Sequence, residues 1–282
     1  MEIKKILYLI VVSLLLQFNV NGQNITLMTY NLRLDLASDG ENAWPNRKEN
    51  LVSLIKFYSP DIFGTQEGLP HQVNYINNQL ENYNIIGQGR EGGNKGEYSA
   101  IFYIKNNFKI EKQHTFWLSP TPNKVSKGWD AAYLRICTYA LFTDIKTNRI
   151  FWVFNTHLDN VGKVAREQEL KMILDKINTV NTLNYPVIFM GDFNSVPNSE
   201  LITDLSKKMN AAKSISIEKP FGPDGTFNAF QFNKPINKRI DYIFVSKQKQ
   251  IKVKKYAVLS DHKNLKYPSD HLPVFVELKL NN

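Results

Sequence analysis

The stretch from Tyr98 to Asp144 contains three strand-like segments in succession, with no helical pattern between them. These segments, at residues 99–104, 108–117 and 134–145, are rich in the β-branched and aromatic residues that favour strands. A (β/α)8 barrel needs a helix after every strand, so this stretch argues against a barrel. The pattern instead predicts two packed, mixed β-sheets with helices on their outer faces.

The rest of the chain alternates strand-like and helical patterns, with no tandem repeat and no low-complexity linker. Further strands are predicted at residues 25–34, 61–66, 151–156, 187–190, 240–245, 251–259 and 274–280. Helices are predicted at residues 47–57, 72–80, 164–178 and 199–205. A chain of 282 residues is within reach of one large domain of the α/β (α+β) class.

The first 22 residues have the pattern of a secretory signal peptide. Two basic residues, Lys4 and Lys5, precede an apolar stretch at residues 6–16, and Val20 and Gly22 suit cleavage before Gln23. We therefore expect a signal peptide at 1–22, a single domain at 23–282, and a periplasmic or secreted bacterial protein. The alternative is an uncleaved anchor, but the apolar stretch is shorter than the roughly 20 residues of a membrane span, so no stable membrane anchor is expected.

The formal net charge of the chain is +9, and removal of residues 1–22 lowers it to +8. A positive charge of this size favours phosphate-bearing or polyanionic partners. The basic residues are dispersed, and the densest cluster, at 247–255, alternates with Gln, Ile and Val as on a solvated strand face. The single cysteine, Cys137, lies in an apolar run and is expected to be a buried structural residue. The sequence predicts no oligomeric state.

Polar residues follow or interrupt apolar strand segments at six places along the chain. Turn formation explains any one of them, but it explains poorly a set drawn only from Asn, Asp, Glu and His, the residue types of metal ligands and acid–base groups. The set comprises Asn31, Glu67, His157, Asp192, Asn194, Asp241, Asp270 and His271. Because loops from two packed sheets meet at one edge, we expect these side chains to form one site.

These residue types suit the hydrolysis of a phosphoester. Histidine removes a proton from water near neutral pH because its pKa lies close by, and a carboxylate orients the imidazole. A hard cation such as Mg²⁺, or alternatively Mn²⁺, is bound by carboxylate and amide oxygens and neutralises the phosphoryl oxygens. Zinc fits less well, because the five histidines lack close ligand spacing and no cysteine is available as a ligand.

Six short segments occur in a fixed order: Thr-Tyr-Asn at 29–31, Gln-Glu at 66–67, Thr-His-Leu at 156–158, Gly-Asp-Phe-Asn at 191–194, Ile-Asp-Tyr at 240–242 and Ser-Asp-His at 269–271. This ordered set resembles the motifs of the endonuclease/exonuclease/phosphatase superfamily, which includes the pancreatic-type deoxyribonucleases and the neutral sphingomyelinases. The resemblance spans residues 25–280. It implies a four-layered α/β sandwich and metal-dependent cleavage of a phosphoester.

The resemblance also implies a role for each matching residue. Glu67 would be the main Mg²⁺ ligand, Asn31 would support it, and Asp270 would reach the same metal or a second one. His271 would be the general base or the hydrogen-bond donor to a phosphoryl oxygen. Asp241 would orient His271.

Further roles follow for the residues around the reacting phosphate. Asp192 would align or deprotonate the attacking water, and Asn194 would stabilise the transition state at a phosphoryl oxygen. His157 would contact the phosphate or protonate the leaving group. Glu97 resembles the carboxylate that pairs with this histidine in the deoxyribonucleases, and the alternative is an exposed loop residue.

Four more residues are candidates for substrate contact or support. Arg166 begins the helix after His157 and would reach the phosphate or stabilise the intervening loop, unless it only pairs on the helix surface. Trp44 and Trp129 lie in polar, loop-like segments where an exposed ring stacks on a base, a sugar or a lipid head group, the alternative being a place in the core. Arg135 would add a polar contact nearby.

Three functions follow from these expectations. The first is a secreted, Mg²⁺-dependent phosphodiesterase or phosphatase that acts on a small, glycan- or lipid-linked phosphoester. The second is a secreted nuclease, which is less favoured because the sequence shows no concentrated basic stripe that would follow a nucleic-acid backbone. The third is an inactive binding module, which is disfavoured because Glu67, Asp192 and His271 are all present.

Overall fold

The computed structural model describes residues 24–247 and 250–280. The predicted signal segment at 1–22 lies outside this range. Within it, the chain forms two six-stranded sheets flanked by helices, as predicted. No helix in these two ranges has the length and apolar character needed to cross a membrane.

The first sheet has the strand order β11-β12-β1-β2-β4-β3. Its strands are β1 (Asn24–Asn31), β2 (Ile62–Gln66), β3 (Tyr83–Ile86), β4 (Ile101–Ile104), β11 (Ile251–Val258) and β12 (Val274–Leu280). β1 is parallel to β2 and antiparallel to β12. The sheet is therefore mixed, and the C-terminal ends of β1 and β2 lie side by side.

The second sheet has the strand order β5-β6-β7-β8-β10-β9. Its strands are β5 (Phe108–Trp117), β6 (Ile136–Asp144), β7 (Ile150–His157), β8 (Val187–Asp192), β9 (Met209–Ala211) and β10 (Asp241–Ser246). β7 is parallel to β8, with His157 opposite Asp192, and β10 runs antiparallel to β8 with Asp241 opposite Asp192. Three candidate residues therefore share one end of this sheet.

Four α-helices cover the outer faces: α1 (Trp44–Tyr58), α2 (Pro70–Gln79), α3 (Lys163–Val180) and α4 (Glu200–Lys208). Short 3₁₀ helices occur at Ala37–Asn42 and Ala212–Ile215. The helix positions match the predicted ones to within a few residues at most ends. α4 begins as expected for a capped helix, because the hydroxyl of Ser199 accepts a hydrogen bond from the backbone N–H of Ile202 at 3.3 Å.

Three apolar clusters separate the four layers. The central cluster joins the inner faces of the two sheets, with Leu27 from β1 meeting residues such as Val153 of β7. A second cluster packs the first sheet against α1 and α2, and a third packs the second sheet against α3 and α4. The predicted four-layered sandwich is therefore confirmed.

Two strands were absent from the sequence prediction. β3 has only four residues, and its outward-facing Asn84 interrupts the apolar pattern. β9 has three residues and directly follows α4. Predicted strand 25–34 ends earlier, at Asn31, and predicted strand 134–145 begins later, at Ile136.

A buried amide ties the two sheets together beneath the candidate site. Asn155 of β7 donates hydrogen bonds to the carbonyl oxygens of Thr65 and Ala100, at 2.9 and 2.8 Å, and accepts one from Gln66 at 2.7 Å. Gly64 leaves room for this amide, because a Cβ atom there would clash with the Asn155 side chain. The relative position of the two sheets is thus set by specific hydrogen bonds as well as by apolar packing.

Candidate active site

The predicted residues meet at one edge of the sandwich. Asn31 and Glu67 come from the ends of β1 and β2 in the first sheet. His157, Asp192 and Asp241 lie at strand ends of the second sheet, with Asn194 just beyond, and Asp270 and His271 lie in the loop before β12. All of them except Asn31 and Asp241 line one pocket of about 600 Å³, and those two lie directly behind it.

Glu67 is held by a tight turn at the end of β2. Its backbone has a φ of 62°, in the left-handed region that a non-glycine residue seldom occupies. One carboxylate oxygen accepts a hydrogen bond from the side-chain amide of Asn31 at 2.9 Å, and the other accepts one from the backbone N–H of Leu34 at 3.1 Å. Glu67 therefore has a fixed orientation while remaining accessible from the pocket.

Asp192 lies at the centre of the cluster and is almost wholly buried. Its Oδ1 accepts a hydrogen bond from the backbone N–H of Asn194 at 2.8 Å, and its Oδ2 accepts one from the amide of Asn31 at 3.1 Å. Burial, followed by the charge of nearby Asp241, raises the pKa of Asp192 above its ordinary value. A carboxylate in this state is a stronger proton acceptor than an exposed aspartate.

His157 and Asn194 form a polar pair beside Asp192. The side-chain amide of Asn194 donates to the carbonyl oxygen of Leu158 at 2.9 Å, and its Nδ2 lies 3.0 Å from Nε2 of His157. Burial, reinforced by the charges of Arg135 and His271, holds the pKa of His157 well below its ordinary value. His157 is therefore neutral at physiological pH.

His271 is oriented by Asp241, as the resemblance implies. Nδ1 of His271 lies 2.8 Å from Oδ2 of Asp241, and the same oxygen accepts a hydrogen bond of 2.5 Å from the hydroxyl of Thr226. Burial alone would lower the pKa of His271, but the charges of Asp241, Asp270 and Asp192 outweigh burial and raise it above its ordinary value. In this environment the imidazolium form of His271 is favoured.

Asp270 lies between Glu67 and a cationic side chain. Its Oδ2 is 3.9 Å from Nη1 of Arg33, whose guanidinium donates two hydrogen bonds to the carboxylate of Asp39. Burial raises the pKa of Asp270, and the charge of Glu67 adds to this effect, whereas His271 opposes it. Two carboxylates close together in a buried site are stabilised by a shared cation.

The donor atoms suit a hard divalent cation. Glu67, His157 and Asp192 each place a potential ligand atom within 4.8 Å of the others. A second group, formed by Asp192, Asp241 and His271, meets the same distance criterion, but His271 and Asp241 are already hydrogen-bonded to each other. Most donors facing the pocket are carboxylate oxygens, the ligands that Mg²⁺ and Mn²⁺ prefer.

Glu97 and His157 do not form the expected pair in the structure. Glu97 instead binds Arg90, with distances of 2.6 and 2.9 Å between guanidinium nitrogens and carboxylate oxygens. Glu97 and His157 both border a small cavity beside the main pocket. Burial raises the pKa of Glu97 to about 7, even though Arg90 lowers it in part. A two-point ion pair between a guanidinium and a carboxylate is a strong interaction, so Arg90 engages both oxygens of Glu97.

Arg166 stabilises the loop that follows His157. Its Nη1 donates a hydrogen bond to the carbonyl oxygen of Asp159 at 2.9 Å. This is one of the two roles considered for Arg166. Among residues 24–247 and 250–280, the side chain of Arg166 is not part of the pocket lining. Arg135 does border the pocket, and its Nε lies 3.3 Å from Oδ2 of Asp159.

The two tryptophans that were candidates for substrate contact lie elsewhere. Trp44 is 3% exposed in the core between α1 and the first sheet, where it meets Tyr75 edge-on, so the core alternative is correct. Its apparent loop context arose because α1 starts at Trp44, three residues earlier than predicted. Trp129 is 38% exposed, but neither tryptophan is among the pocket residues in the described part of the chain.

Several residues of the site carried no signal in the sequence. Asp159 is fully buried and holds neighbouring loops through both carboxylate oxygens. Thr226 and Phe227 come from a segment without a recognisable motif, and Phe227 packs edge-on against His271 with ring centres 5.1 Å apart. Arg90 and Tyr133 border the pocket from loops of irregular sequence. The sequence offered one clue to these residues. Asp159 is a charged residue that directly follows the motif residues His157 and Leu158.

Comparisons with known proteins agree with this geometry. A profile of the endonuclease/exonuclease/phosphatase family matches residues 16–271. A protein of that family from Bacteroides thetaiotaomicron is 36% identical, with a TM-score of 0.87 over 92% of this chain and 99% of its own. A mannosyl-6-phosphatase from the same organism is 37% identical, with a TM-score of 0.85 over 90% of this chain and 99% of its own.

The matches to curated proteins cover shorter portions. Human tyrosyl-DNA phosphodiesterase 2 is 28% identical over 178 residues, which are 62% of this chain and 43% of the human protein. An uncharacterised protein of Acanthamoeba polyphaga mimivirus is 26% identical over 175 residues, which are 64% of the viral protein. The chain therefore spans less than two thirds of the length of these curated relatives.

Proposed function

We propose that this chain, which belongs to the endonuclease/exonuclease/phosphatase family, is a metal-dependent phosphoester hydrolase. We further propose that it is a secreted, Mg²⁺-dependent enzyme for small phosphoesters linked to a glycan. The observation that carries this proposal is the pocket. It has a volume of about 600 Å³, within the roughly 300–1,000 Å³ typical of small-molecule sites. The mannosyl-6-phosphatase relative supports a sugar phosphate as the substrate.

Glu67 is proposed as the main metal ligand, with Asp270 beside it and Asn31 holding its carboxylate. A bound divalent cation neutralises phosphoryl oxygens and lowers the pKa of a coordinated water. The oxygen-rich donor set favours Mg²⁺, with Mn²⁺ as the alternative. The remaining residues act on the water and on the phosphoryl group.

Asp192 is proposed to accept a proton from the attacking water, because its raised pKa makes it a better base than an ordinary aspartate. His271 would donate a hydrogen bond to a phosphoryl oxygen through Nε2, since Nδ1 is engaged by Asp241 and the imidazolium form is favoured. This preference argues against His271 as the general base, the other role that the resemblance allows. Water adds to phosphorus, the ester P–O bond breaks, and the leaving alkoxide takes up a proton to become an alcohol.

Asn194 and His157 are proposed to bind the same phosphoryl group. One N–H of the Asn194 amide is bound to the carbonyl oxygen of Leu158, and the other faces Nε2 of His157. A phosphoryl oxygen would replace one member of the Asn194–His157 contact, and would then accept a hydrogen bond from the Asn194 amide or from the Nε2–H tautomer of neutral His157. The lowered pKa of His157 favours contact with the phosphate over protonation of the leaving group. Proton transfer to the leaving alkoxide therefore falls to another group or to water.

The activity can be tested with a substrate panel. The purified protein is assayed with Mg²⁺ or Mn²⁺ on mannose 6-phosphate, p-nitrophenyl phosphate, bis(p-nitrophenyl) phosphate, sphingomyelin and plasmid DNA. We expect hydrolysis of the small esters and a loss of activity in His271→Ala. His114→Ala is the matched control, because His114 is exposed on β5 away from the pocket. Equal activity of wild type and His271→Ala, or no hydrolysis of any ester, would contradict the proposal.

The second candidate is a nuclease, which the similarity to tyrosyl-DNA phosphodiesterase 2 favours. It predicts that plasmid DNA or an oligonucleotide is cleaved faster than mannose 6-phosphate at equal enzyme concentration. The size of the pocket, about 600 Å³, and the dispersed positive charge favour the small-ester alternative. The substrate panel separates the two candidates directly.

Secretion is proposed from the segment at residues 1–22. It can be tested by expressing the full chain in a bacterial host and measuring the intact mass of the protein in the periplasm and medium. We expect a mature protein beginning at Gln23. A full-length protein found only in the cytoplasm would contradict secretion without affecting the proposed activity.

A further inference from the structure

The pocket has a wall with no role in the chemistry proposed above. Tyr133 stands in this wall with half of its surface exposed. The guanidinium carbons of Arg90 and Arg135 lie 5.2 and 5.6 Å from the centre of its ring. All three residues border the same pocket as His271, and we call them, together with Glu97, the Tyr133 wall.

Hydrogen bonds hold the backbone of the Tyr133 wall and the side chain of Arg135 in place. Oδ2 of Asp159 accepts a hydrogen bond from the backbone N–H of Tyr133 at 3.2 Å and lies 3.3 Å from Nε of Arg135. The backbone of Arg90 is fixed separately, because its carbonyl oxygen accepts a hydrogen bond from the indole N–H of Trp117 at 2.7 Å. A preformed surface of this kind binds a ligand without the entropic cost of ordering its own side chains.

Each guanidinium of this wall is paired with a carboxylate. Arg90 is paired with Glu97 at 2.6 Å, and Arg135 is paired with Asp159 at 3.3 Å. Lys238 differs, because it borders the pocket beside Phe227 and forms no ion pair among residues 24–247 and 250–280. The Tyr133 wall therefore offers little attraction to a second negative charge on a substrate.

The pair of Arg90 and Glu97 presents both donors and acceptors to the pocket. Guanidinium groups donate hydrogen bonds and carboxylates accept them, whereas a hydroxyl group does both. The hydroxyl of Tyr133 has no hydrogen-bond partner in the part of the chain that the structure describes. A neutral molecule rich in hydroxyl groups matches this surface better than an anion or a hydrocarbon chain does.

We propose that Tyr133, held between Arg90 and Arg135, is a specificity-determining residue that binds the alcohol half of the substrate and selects a neutral, polyhydroxylated ring. The proposal rests on the proposed phosphoester hydrolase activity and narrows its substrate class to sugar phosphates. Tyr133 acts on binding of the leaving group and takes no part in the chemistry at phosphorus.

Steady-state kinetics of Tyr133→Phe and Tyr133→Ala test the proposal. The substrates are mannose 6-phosphate, which has a hydroxyl-rich leaving group, and p-nitrophenyl phosphate, whose leaving group lacks neighbouring hydroxyls. We expect the ratio of kcat/KM for the sugar phosphate to that for the aryl phosphate to fall about threefold in Tyr133→Phe and about tenfold in Tyr133→Ala. The fall should come mainly from a higher KM for the sugar phosphate. Phe57→Ala, at an exposed aromatic residue of α1, is the control and should leave the ratio unchanged.

The results of this test distinguish a failure of the specificity role from a failure of the proposed function. An unchanged substrate ratio in both Tyr133 variants would overturn the specificity role. Hydrolysis of p-nitrophenyl phosphate by the wild type without any hydrolysis of mannose 6-phosphate would also overturn it, while leaving the hydrolase activity intact. Absence of activity on both substrates would overturn the proposed function and the specificity role together.

Discussion

Asn31 and Asp192 belong to different sheets, yet Nδ2 of Asn31 lies 3.1 Å from Oδ2 of Asp192. The same nitrogen lies 2.9 Å from a carboxylate oxygen of Glu67. One amide group therefore sets the spacing between the proposed metal ligand and the proposed base for water. This bond joins the two halves of the site directly across the sandwich.

Replacing Asn31 with Ala should lower activity about 10- to 100-fold, because it removes the group that orients Glu67 and Asp192. Part of the loss should be recovered at high Mg²⁺ concentration, since Glu67 remains present. The measurement is kcat/KM across a Mg²⁺ titration. Asn24→Ala is the control, because Asn24 lies at the other end of the same strand and binds Glu277. A loss of the same size in both variants would point to damage to β1 itself.

Asp241→Asn should reduce kcat by about 10²-fold or more and should change the pH profile in a diagnostic direction. Asp241 raises the pKa of His271, so its neutralisation lowers that pKa. If the imidazolium is the active form, the alkaline limb of the profile moves to lower pH. The acidic limb should also move to lower pH, because Asp241 raises the pKa of Asp192, the proposed base. An alkaline limb that stays in place would contradict the imidazolium form of His271 as the active one. Asp204→Asn, at an exposed position on α4, should leave the profile in place.

Glu67→Gln should weaken binding of the divalent cation, because a neutral amide replaces its main carboxylate ligand. We expect the apparent dissociation constant for Mn²⁺ to rise at least tenfold in calorimetric titrations, with a parallel rise in the metal concentration needed for activity. Asp35→Asn serves as the control. Asp35 follows Asn31 closely in the sequence but binds His71 at 2.9 Å, outside the pocket. Equal metal affinity of wild type and Glu67→Gln would remove Glu67 from the ligand set.

Glu169→Gln should stabilise the protein at alkaline pH relative to acidic pH. Glu169 is fully buried on α3, accepts a hydrogen bond from the backbone N–H of Asp159 at 2.8 Å, and has its pKa raised by burial from 4.5 to about 7. A raised carboxyl pKa costs stability as the group ionises, so the cost is absent below 4.5 and complete above 7. The stability of the variant relative to wild type should rise by roughly 1–3 kcal/mol between pH 5 and pH 8.

Urea unfolding at pH 5, 6, 7 and 8 measures this difference. Glu167→Gln is the matched control, because Glu167 lies on the same helix but is exposed and pairs only with Lys163. The difference in the free energy of unfolding between Glu169→Gln and wild type could also stay constant across the pH range. That result would show that Glu169 does not change its ionisation on folding within that range.

The architecture was predictable because its signals are long and local. The apolar strands β7 and β8 and the helix α3 are continuous patterns in the sequence, and they occur in the structure close to where they were expected. β3 and β9 were not predicted, because segments of four and three residues are too short to show a periodic pattern. Their pairing depends on neighbouring strands that are distant in sequence.

The motif residues of the site were predictable for a different reason. Each of its residues lies in or next to a short segment with an unusual polar group at the end of an apolar strand, as with Asp192 after the buried residues of β8. The walls were not predictable, because Arg90, Tyr133 and Phe227 come from irregular loops whose course is set by tertiary contacts. The partner of Glu97 was missed for the same reason, since the choice between Arg90 and His157 depends on side-chain distances.

The position of β1 between β2 and β12 has a consequence for synthesis. Asn24 on β1 pairs in register with Lys279 on β12, at the far end of the described chain. A nascent chain that has not reached residue 274 leaves that edge of β1 without its neighbour, and loop closure over so long a separation is slow. His271 and Asp270 emerge from the ribosome just before this strand. A chain synthesised only as far as residue 269 therefore has Glu67, Glu97 and Asp192 of the pocket but lacks Asp270 and His271.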